Sequence, residues 1–414
     1  MPHHFFDIAI VILLASLAAV FLSKLKQQPM IGYVIAGIII GPAVLGVIKD
    51  QSEISFVAEM GVILLLFVLG MELPLNSFKQ TYKVALPVTL LLVLFSLILV
   101  FVTGLVIDIT LQEKIVYAFI ISLSSTAVAI KLLENVDLLD KGTGQVAVSV
   151  LIAQDLLFVP MIMIVNAMGS QQGISLAFLP KILAAVVILV GLIIFLSRKQ
   201  KVHLIFEQTV EKHNDLIPVA ALTWCFVGAA ASEYAGLSPA YGAFLAGLII
   251  GNSHSKDKVL HRIEPMQSVL LMIFFLSIGI LIDFNVIVSH AMLIFSLLLI
   301  SMIFKTIVSI VLLKLFLPKD RWRCSFVTGL TISQIGEFSF IIAAAALSNG
   351  VFDNDSYKII IAVIALSLAF SPVWLAILHR FVQISYIDNS AKTLGAAINH
   401  CFFKRMLLRP AKKA

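Results

Sequence analysis

An all-α polytopic membrane protein of thirteen transmembrane helices is the fold class that the sequence predicts. Three observations predict it. Hydrophobic residues make up 60% of the chain and charged residues 13%, with a mean hydropathy of +1.07, whereas a soluble domain is roughly 45–50% apolar. Apolar runs able to cross a bilayer recur from end to end, and the basic residues collect on one side of them. A glycine-marked segment also repeats within the chain.

Taken in order, the runs lie near 5–22, 30–48, 57–74, 85–107, 114–135, 142–168, 180–197, 215–232, 238–252, 264–282, 286–315, 324–348 and 357–379. A span needs about 17–25 apolar residues, so 238–252 is short and 286–315 long. The first run leads into further spans with no small-residue cleavage site behind it, and reads as a retained helix. Of the 29 Lys and Arg, 23 fall in connections after odd-numbered spans or in the tail, 4 on the other face, and Lys131 and Lys305 within spans. Cytoplasmic loops carry the basic excess. The N-terminus is therefore expected outside and the basic tail 381–414 in the cytosol, and the net charge of +6 needs no nucleic-acid partner. Cys225, Cys324 and Cys401 have no metal-type spacing and read as packing residues.

Gly32-Tyr-Val-Ile-Ala36-Gly37-Ile-Ile-Ile-Gly41-Pro42 in the second span matches Gly242-Ala-Phe-Leu-Ala246-Gly247-Leu-Ile-Ile-Gly251-Asn252 in the ninth, at an offset of 210. The spans that follow also end alike, at Gly70-Met-Glu72-Leu and Gly279-Ile-Leu-Ile-Asp283. Units an odd number of spans apart cross the bilayer in opposite senses, so spans 1–6 and 8–13 form two inverted six-helix repeats joined by span 7. Such repeats typify secondary transporters whose sites lie at broken helices near the midplane. Repetitive Gly/Ile packing of membrane helices is the plainer reading.

The repeat points to spans 5 and 12. Ser122, Ser124, Ser125 and Thr126 interrupt the first, and Thr331, Ser333, Gln334, Gly336 and Glu337 the second. Hydroxyls, an amide and a glycine can satisfy backbone groups where a membrane helix unwinds, although a lone Ser or Thr usually bonds back to the preceding turn. Asp155, preceded by Gln154, sits mid-run in the sixth span, and an ionisable group at that depth faces a partner or a water-filled cavity. Lys305 and Glu337 are the other deep charges. One carboxylate holds either a cation or a proton, so Asp155 could exchange them. Gln154, Ser124, Ser125 and Thr126 would add uncharged oxygens, a set that suits a monovalent cation better than calcium or magnesium. Lys305 would neutralise Asp155 when the site is empty or carry the proton itself; alternatively the two form a permanent salt bridge. Glu337 would balance broken-helix amides or Lys305, or handle the ion directly. Glu72, Asp283, Glu134, Lys131 and Glu233 read as solvated or snorkelling edge groups. Gly142-Thr-Gly144-Gln-Val-Ala147 follows no strand and is no dinucleotide site.

At these segments, and at Leu65–Leu73, Ile263-Glu264-Pro265 and Phe275–Asp283, the chain resembles the Kef-type branch of the monovalent cation:proton antiporter-2 family over roughly residues 6 to 380. The resemblance implies a homodimeric antiporter in lipid, with a sodium/proton-antiporter-like fold and no cofactor besides the transported potassium or sodium and the proton. Scaffold and dimerisation helices would cover about 5–74 and 215–282, the ion-transport core about 85–168 and 286–379, with 180–197 as linker. Spans 5 and 12 would be unwound and cross, Asp155 would bind cation and proton alternately with Lys305 nearby, and the core would move as an elevator. Gln154 before Asp155 matches the potassium-handling type. Kef systems also carry a cytosolic nucleotide-binding domain; residues 381–414 are too few for one, leaving regulation to a domain or subunit outside this chain. Val259-Leu-His261-Arg262 replaces the acidic stretch of glutathione-gated members. The expected function is proton-coupled potassium exchange in a bacterial inner membrane, not an enzyme activity. A potassium efflux channel and an organic-anion carrier are the rivals, and a lone carboxylate beside Gln154 would repel the anion.

Overall fold

The computed structural model describes residues 4–25, 27–41, 44–46, 52–73, 75–105, 109–139, 141–169, 179–198, 202, 215–282, 284–318, 322–370, 373–374, 376 and 380. The basic tail 381–414 with Cys401, Pro42 of the repeated segment and Asp283 lie outside them. Within the described residues the chain forms α1 (His4–Lys24), α2 (Pro29–Ile40), α3 (Ser52–Glu72), α4 (Leu75–Thr103), α5 (Leu111–Ser122), α6 (Thr126–Asn135), α7 (Gly142–Met168) and α8 (Leu179–Arg198). There follow α9 (Leu216–Tyr234), α10 (Pro239–Gly251), α11 (Lys256–Ile280), α12 (Phe284–Ser289), α13 (Ala291–Phe316), α14 (Trp322–Thr331), α15 (Phe338–Ser348) and α16 (Asn354–Ala369).

Six stretches among the described residues are long and apolar enough to span a bilayer: Thr81–Thr103, Leu111–Glu134, Gly142–Met168, Leu216–Tyr234, Lys256–Ile280 and Ala291–Phe316. Shorter apolar helices include Ile8–Lys24, Pro29–Ile40, Leu183–Ser197, Pro239–Gly251 and Phe338–Ser348. Leu13, Phe21, Val187, Ile303 and Leu315 are exposed on these helices, as expected of side chains that face lipid rather than water.

Hydropathy reads helix ends imperfectly. The run 286–315 divides at His290 into α12 and α13, because apolar residues flank the turn on both sides and conceal it. Conversely α11 begins at Lys256, ahead of the apolar run at 264, and passes through Pro265. Its basic first turns remain helical where the sequence is no longer apolar.

Two groups of helices pack together. In one, α2 lies against α1 and α11, α3 against α10 and α11, and α9 against α10. The glycines of the repeated segment permit the close approach. A Cβ on Gly37 would stand 2.9 Å from the Gly279 Cα, and one on Gly247 would stand 3.2 Å from the Gly70 Cα. Each copy of the segment thus packs its glycine on the following span of the other copy. In the second group, α4 packs on α5, α7 and α13, while α15 packs on α5, α7 and α16. Cys225 and Cys324 are buried and lie outside any disulfide.

Candidate functional site

Two helices of the second group are interrupted. Thr110 starts α5 with a capping box, its hydroxyl accepting from Glu113 N at 3.2 Å while its own N–H donates to the Glu113 carboxylate at 2.7 Å. The helix stops at Ser122, Leu123 turns extended, and α6 restarts at Thr126 with Ser125 as N-cap. In the same way α14 stops at Thr331 and α15 restarts at Phe338, with Glu337 as N-cap. Unwinding inside a bilayer leaves backbone groups that must find partners, and here each break supplies partners for the other. Gly336 N donates to Leu123 O at 3.1 Å, and the Ser124 hydroxyl donates to Ile332 O at 2.6 Å. Ser339 reaches Ile120 O at 3.1 Å, and Ser367 of α16 accepts from Ile335 N at 2.9 Å.

Lys305, on α13 and fully buried, clamps the two breaks together. Its ammonium donates to Leu123 O at 2.6 Å and to Gln334 O at 2.8 Å. Carbonyls at an unwound helix end carry partial negative charge, so a cation is well placed between them. Neither Asp155 oxygen is a partner of this ammonium.

Asp155 and Gln154 face the first break from α7, 5% and 1% exposed. Thr126 Oγ1 donates to Asp155 Oδ2 at 3.1 Å, while Oδ1 has no partner. Gln154 Oε1 accepts from Ser124 N at 3.1 Å, which fixes the amide's orientation and leaves its Nε2 without an acceptor. Buried polar atoms are nearly always bonded, so the Asp155 Oδ1 position stands out. Glu337, the N-cap of α15, is the acid nearest in effect to Asp155 across the two breaks. All nine sequence-selected residues (Ser124, Ser125, Thr126, Gln154, Asp155, Lys305, Ser333, Gln334 and Glu337) lie at or against the meeting of the two breaks. Ser333 is the least engaged, its hydroxyl bonding back to Leu330 O at 2.8 Å.

Sequence reasoning missed Gln28, which lies just before α2 and donates from Nε2 to Ser125 Oγ at 3.3 Å. Nothing marked it: a glutamine before a proline at a span's edge has the pattern of an ordinary solvated turn. Ser367, a single serine in an apolar span, carried no signal either. Of the edge groups, Glu72, Glu134 and Glu233 are exposed.

A cavity of about 400 Å³ opens between the two helix groups. Glu59, Ser238 and Phe274 line it from the first group, and Ile162, Asn166 and Ile341 from the second. Ile162 follows Asp155 by seven residues on the same face of α7, a rise of about 10 Å.

A multi-pass helical protein with two broken helices meeting beside a buried carboxylate belongs to the class of secondary cation/proton antiporters. Residues 10–380 match the sodium/hydrogen exchanger family's transmembrane domain, and the chain belongs to that family as a Kef-type member. It is 36% identical over 379 residues to the iron transporter MagA of Paramagnetospirillum magneticum, covering 92% of this chain and 86% of that one. It is 31% identical over 374 residues to K(+) efflux antiporter 5 of Arabidopsis thaliana, covering 89% of this chain and 65% of the plant protein. The chain therefore spans less than two-thirds of that relative's length. The sodium proton antiporter MjNhaP1 of Methanocaldococcus jannaschii shares the fold, with a TM-score of 0.68 at 19% identity over 91% of this chain and 98% of that one.

Proposed function

We propose that this chain exchanges potassium for protons across a bacterial inner membrane, with sodium as the close alternative cation. Asp155 is the carboxylate that cation and proton share. The observation that carries the reading is Asp155 Oδ1, buried and without a partner beside a broken helix. A cation there would find the Thr126 hydroxyl oxygen alongside, which donates its proton toward Oδ2 and has lone pairs to offer. Gln154 and Ser124 hold the break in shape around it. Lys305 acts through the carbonyls of the two breaks, holding them together without competing for the acid's oxygens.

The same reading gives thirteen spans in two inverted six-helix repeats, N-terminus outside and C-terminus cytosolic. The reciprocal packing of Gly37 on Gly279 and of Gly247 on Gly70 supports it, since a pseudo-twofold axis exchanges the two pairs. Helices over about 5–74 and 215–282 form the scaffold and homodimer interface, 180–197 links, and the core over 85–168 and 286–379 moves as an elevator. The cavity lined by Glu59 and Asn166 then lies on the outer side, where the few basic connections fall, and belongs to an outward-open conformation.

Potassium is favoured over sodium by Gln154 beside the acid and by the plant relative's name. MagA is named for iron, but one carboxylate with hydroxyl and amide oxygens is a poor set for a transition metal, which recruits imidazole or several carboxylates. No group of three His, Cys, Asp or Glu able to hold a metal occurs among the described residues.

The test is proton movement in proteoliposomes under an imposed pH gradient, with potassium, sodium, lithium or rubidium chloride added in turn, for wild type and Asp155→Asn. Potassium-triggered proton movement that disappears in the variant supports the assignment. Cation flux without proton movement would mean a channel, and coupled exchange surviving in the variant would remove Asp155 from the mechanism.

A further inference from the structure

Ser125 holds three elements together. A hydroxyl offers one proton and two lone pairs. Val128 N, in the first turn of α6, takes one lone pair at 3.3 Å, and Gln28 Nε2 takes the other, also at 3.3 Å. The remaining hydroxyl proton is taken by the Glu337 carboxyl. Glu337 follows Gly336 in the chain, where an added Cβ would stand 3.0 Å from Ser125 N. Ser125 thus joins the first break to the second through its proton, and both to the α1–α2 connection through Gln28, which is 7% exposed.

This saturation leaves two buried oxygens unmatched. Glu337 Oε2 and Gln28 Oε1 have no hydrogen-bond partner, although each sits on a group that Ser125 fixes by its other atom. An ionised carboxylate with an unpartnered oxygen is costly at bilayer depth. A neutral carboxyl with its proton on Oε2 is a donor, and the unmatched amide oxygen of Gln28 is the kind of acceptor it needs.

We propose that Glu337 Oε2 is a second proton site of the exchange cycle, assembled from Glu337, Ser125 and Gln28, with Gln28 as its positioning residue. The proposal rests on the antiport reading above. Gln28 belongs to the helix group of α1, α2 and α11, whereas Ser125 and Glu337 belong to the group that carries Asp155. Relative motion of the groups withdraws Gln28 from Ser125 and opens Glu337 to water. The Oε2–H bond then breaks, the proton passes to that water, and the electron pair stays on the carboxylate. Of the charged groups around the breaks, Asp155 on α7 interacts with Glu337 and takes the cation, while Lys305 on α13 is bonded to Gln334 O in the same break. Glu72, on α3, interacts with Asp155 in turn.

The experiment measures the apparent KM for potassium against pH in proteoliposomes for wild type, Glu337→Gln and Gln28→Leu. Two protons competing with one cation make log KM fall by up to about two per pH unit, one proton by about one. Wild type should show the steeper dependence and Glu337→Gln the shallower, with coupled exchange retained because Asp155 is intact. Gln28→Leu should keep the steep limb but move the pH at which it begins. Equal slopes in wild type and Glu337→Gln overturn the proposal. If Glu337→Gln does not insert, Gln28→Leu and Ser125→Ala decide it, since an unmoved pH profile in both overturns it equally. A wild type without cation-driven proton movement would instead overturn the antiport reading, and this proposal with it.

Discussion

Gly336→Ala tests the meeting of the two broken helices. A Cβ at Gly336 would lie 2.5 Å from Ser124 O, 2.6 Å from Ser124 C and 3.0 Å from Ser125 N. All three are backbone atoms of the opposite break, so no side-chain rotation relieves the overlap. Restoring an ordinary carbon–oxygen contact of about 3.4 Å requires the breaks to separate by nearly an ångström. The Gly336 N to Leu123 O bond, 3.1 Å long, would then pass beyond hydrogen-bonding range at a cost of about 1 kcal/mol. Overpacking adds about 1–3 kcal/mol. The Lys305 bridge between Leu123 O and Gln334 O spans the same gap and is stretched as well. The expected destabilisation is about 2–4 kcal/mol, a fall of roughly 4–8 °C in melting temperature at about 2 °C per kcal/mol. Melting is followed by tryptophan fluorescence in detergent, with exchange measured in proteoliposomes. The control is Gly191→Ala on α8, where an added Cβ meets nothing within 4 Å. There the alanine should be neutral or stabilise by up to about 1 kcal/mol. If both variants melt and exchange alike, the breaks do not meet as described.

Three further outcomes are expected. Lys305 bonds carbonyls and not Asp155, so the melting effects of Asp155→Asn and Lys305→Gln should add within about 0.5 kcal/mol; a coupling above about 1.5 kcal/mol in a double-mutant cycle would restore a direct ion pair. Gly247→Ala should cost about 1–3 kcal/mol, because its Cβ would come 2.8 Å from Phe67 C and 3.2 Å from Gly70 Cα. Asp353 caps α16 by accepting from Ser356 N at 2.8 Å, and the Ser356 hydroxyl and N–H hold its carboxyl below the ordinary range. A depressed folded value means the stabilisation is present above the unfolded value of about 3.9 and is lost as pH falls through the folded one. Asp353→Ala should therefore cost about 1 kcal/mol at neutral pH, with melting curves that converge in acid.

Much of the site was legible because membrane chemistry marks it locally. Serines, a threonine, a glutamine and a glycine inside otherwise apolar spans have few tolerable arrangements, and broken helices are the principal one. Asp155 and Lys305 stood out because charge at bilayer depth is costly. Their partners were not legible. Attraction between opposite charges suggested a salt bridge, but two carbonyls released by the breaks outcompete the carboxylate for the ammonium, and those carbonyls exist only once both helices have unwound beside each other. Gln28 was invisible for the opposite reason, since its neighbours in sequence give a polar residue every excuse to be solvated.

By itself the sequence determined that the chain lives in a bilayer, roughly where its apolar helices fall and which two of them break, and it singled out Asp155 as a deep acid. These follow from local quantities: apolar run length, the depth of a charge, and the spacing of glycines within one helix. Only the tertiary structure decided that Lys305 clamps Leu123 to Gln334, that Gly37 faces Gly279 while Gly247 faces Gly70, and that Gln28 reaches Ser125. These pairings join different helices, often far apart in the chain. Hydropathy gives every such helix the same reason to enter the membrane and none for choosing its neighbour, so close packing and the satisfaction of buried backbone groups make that choice.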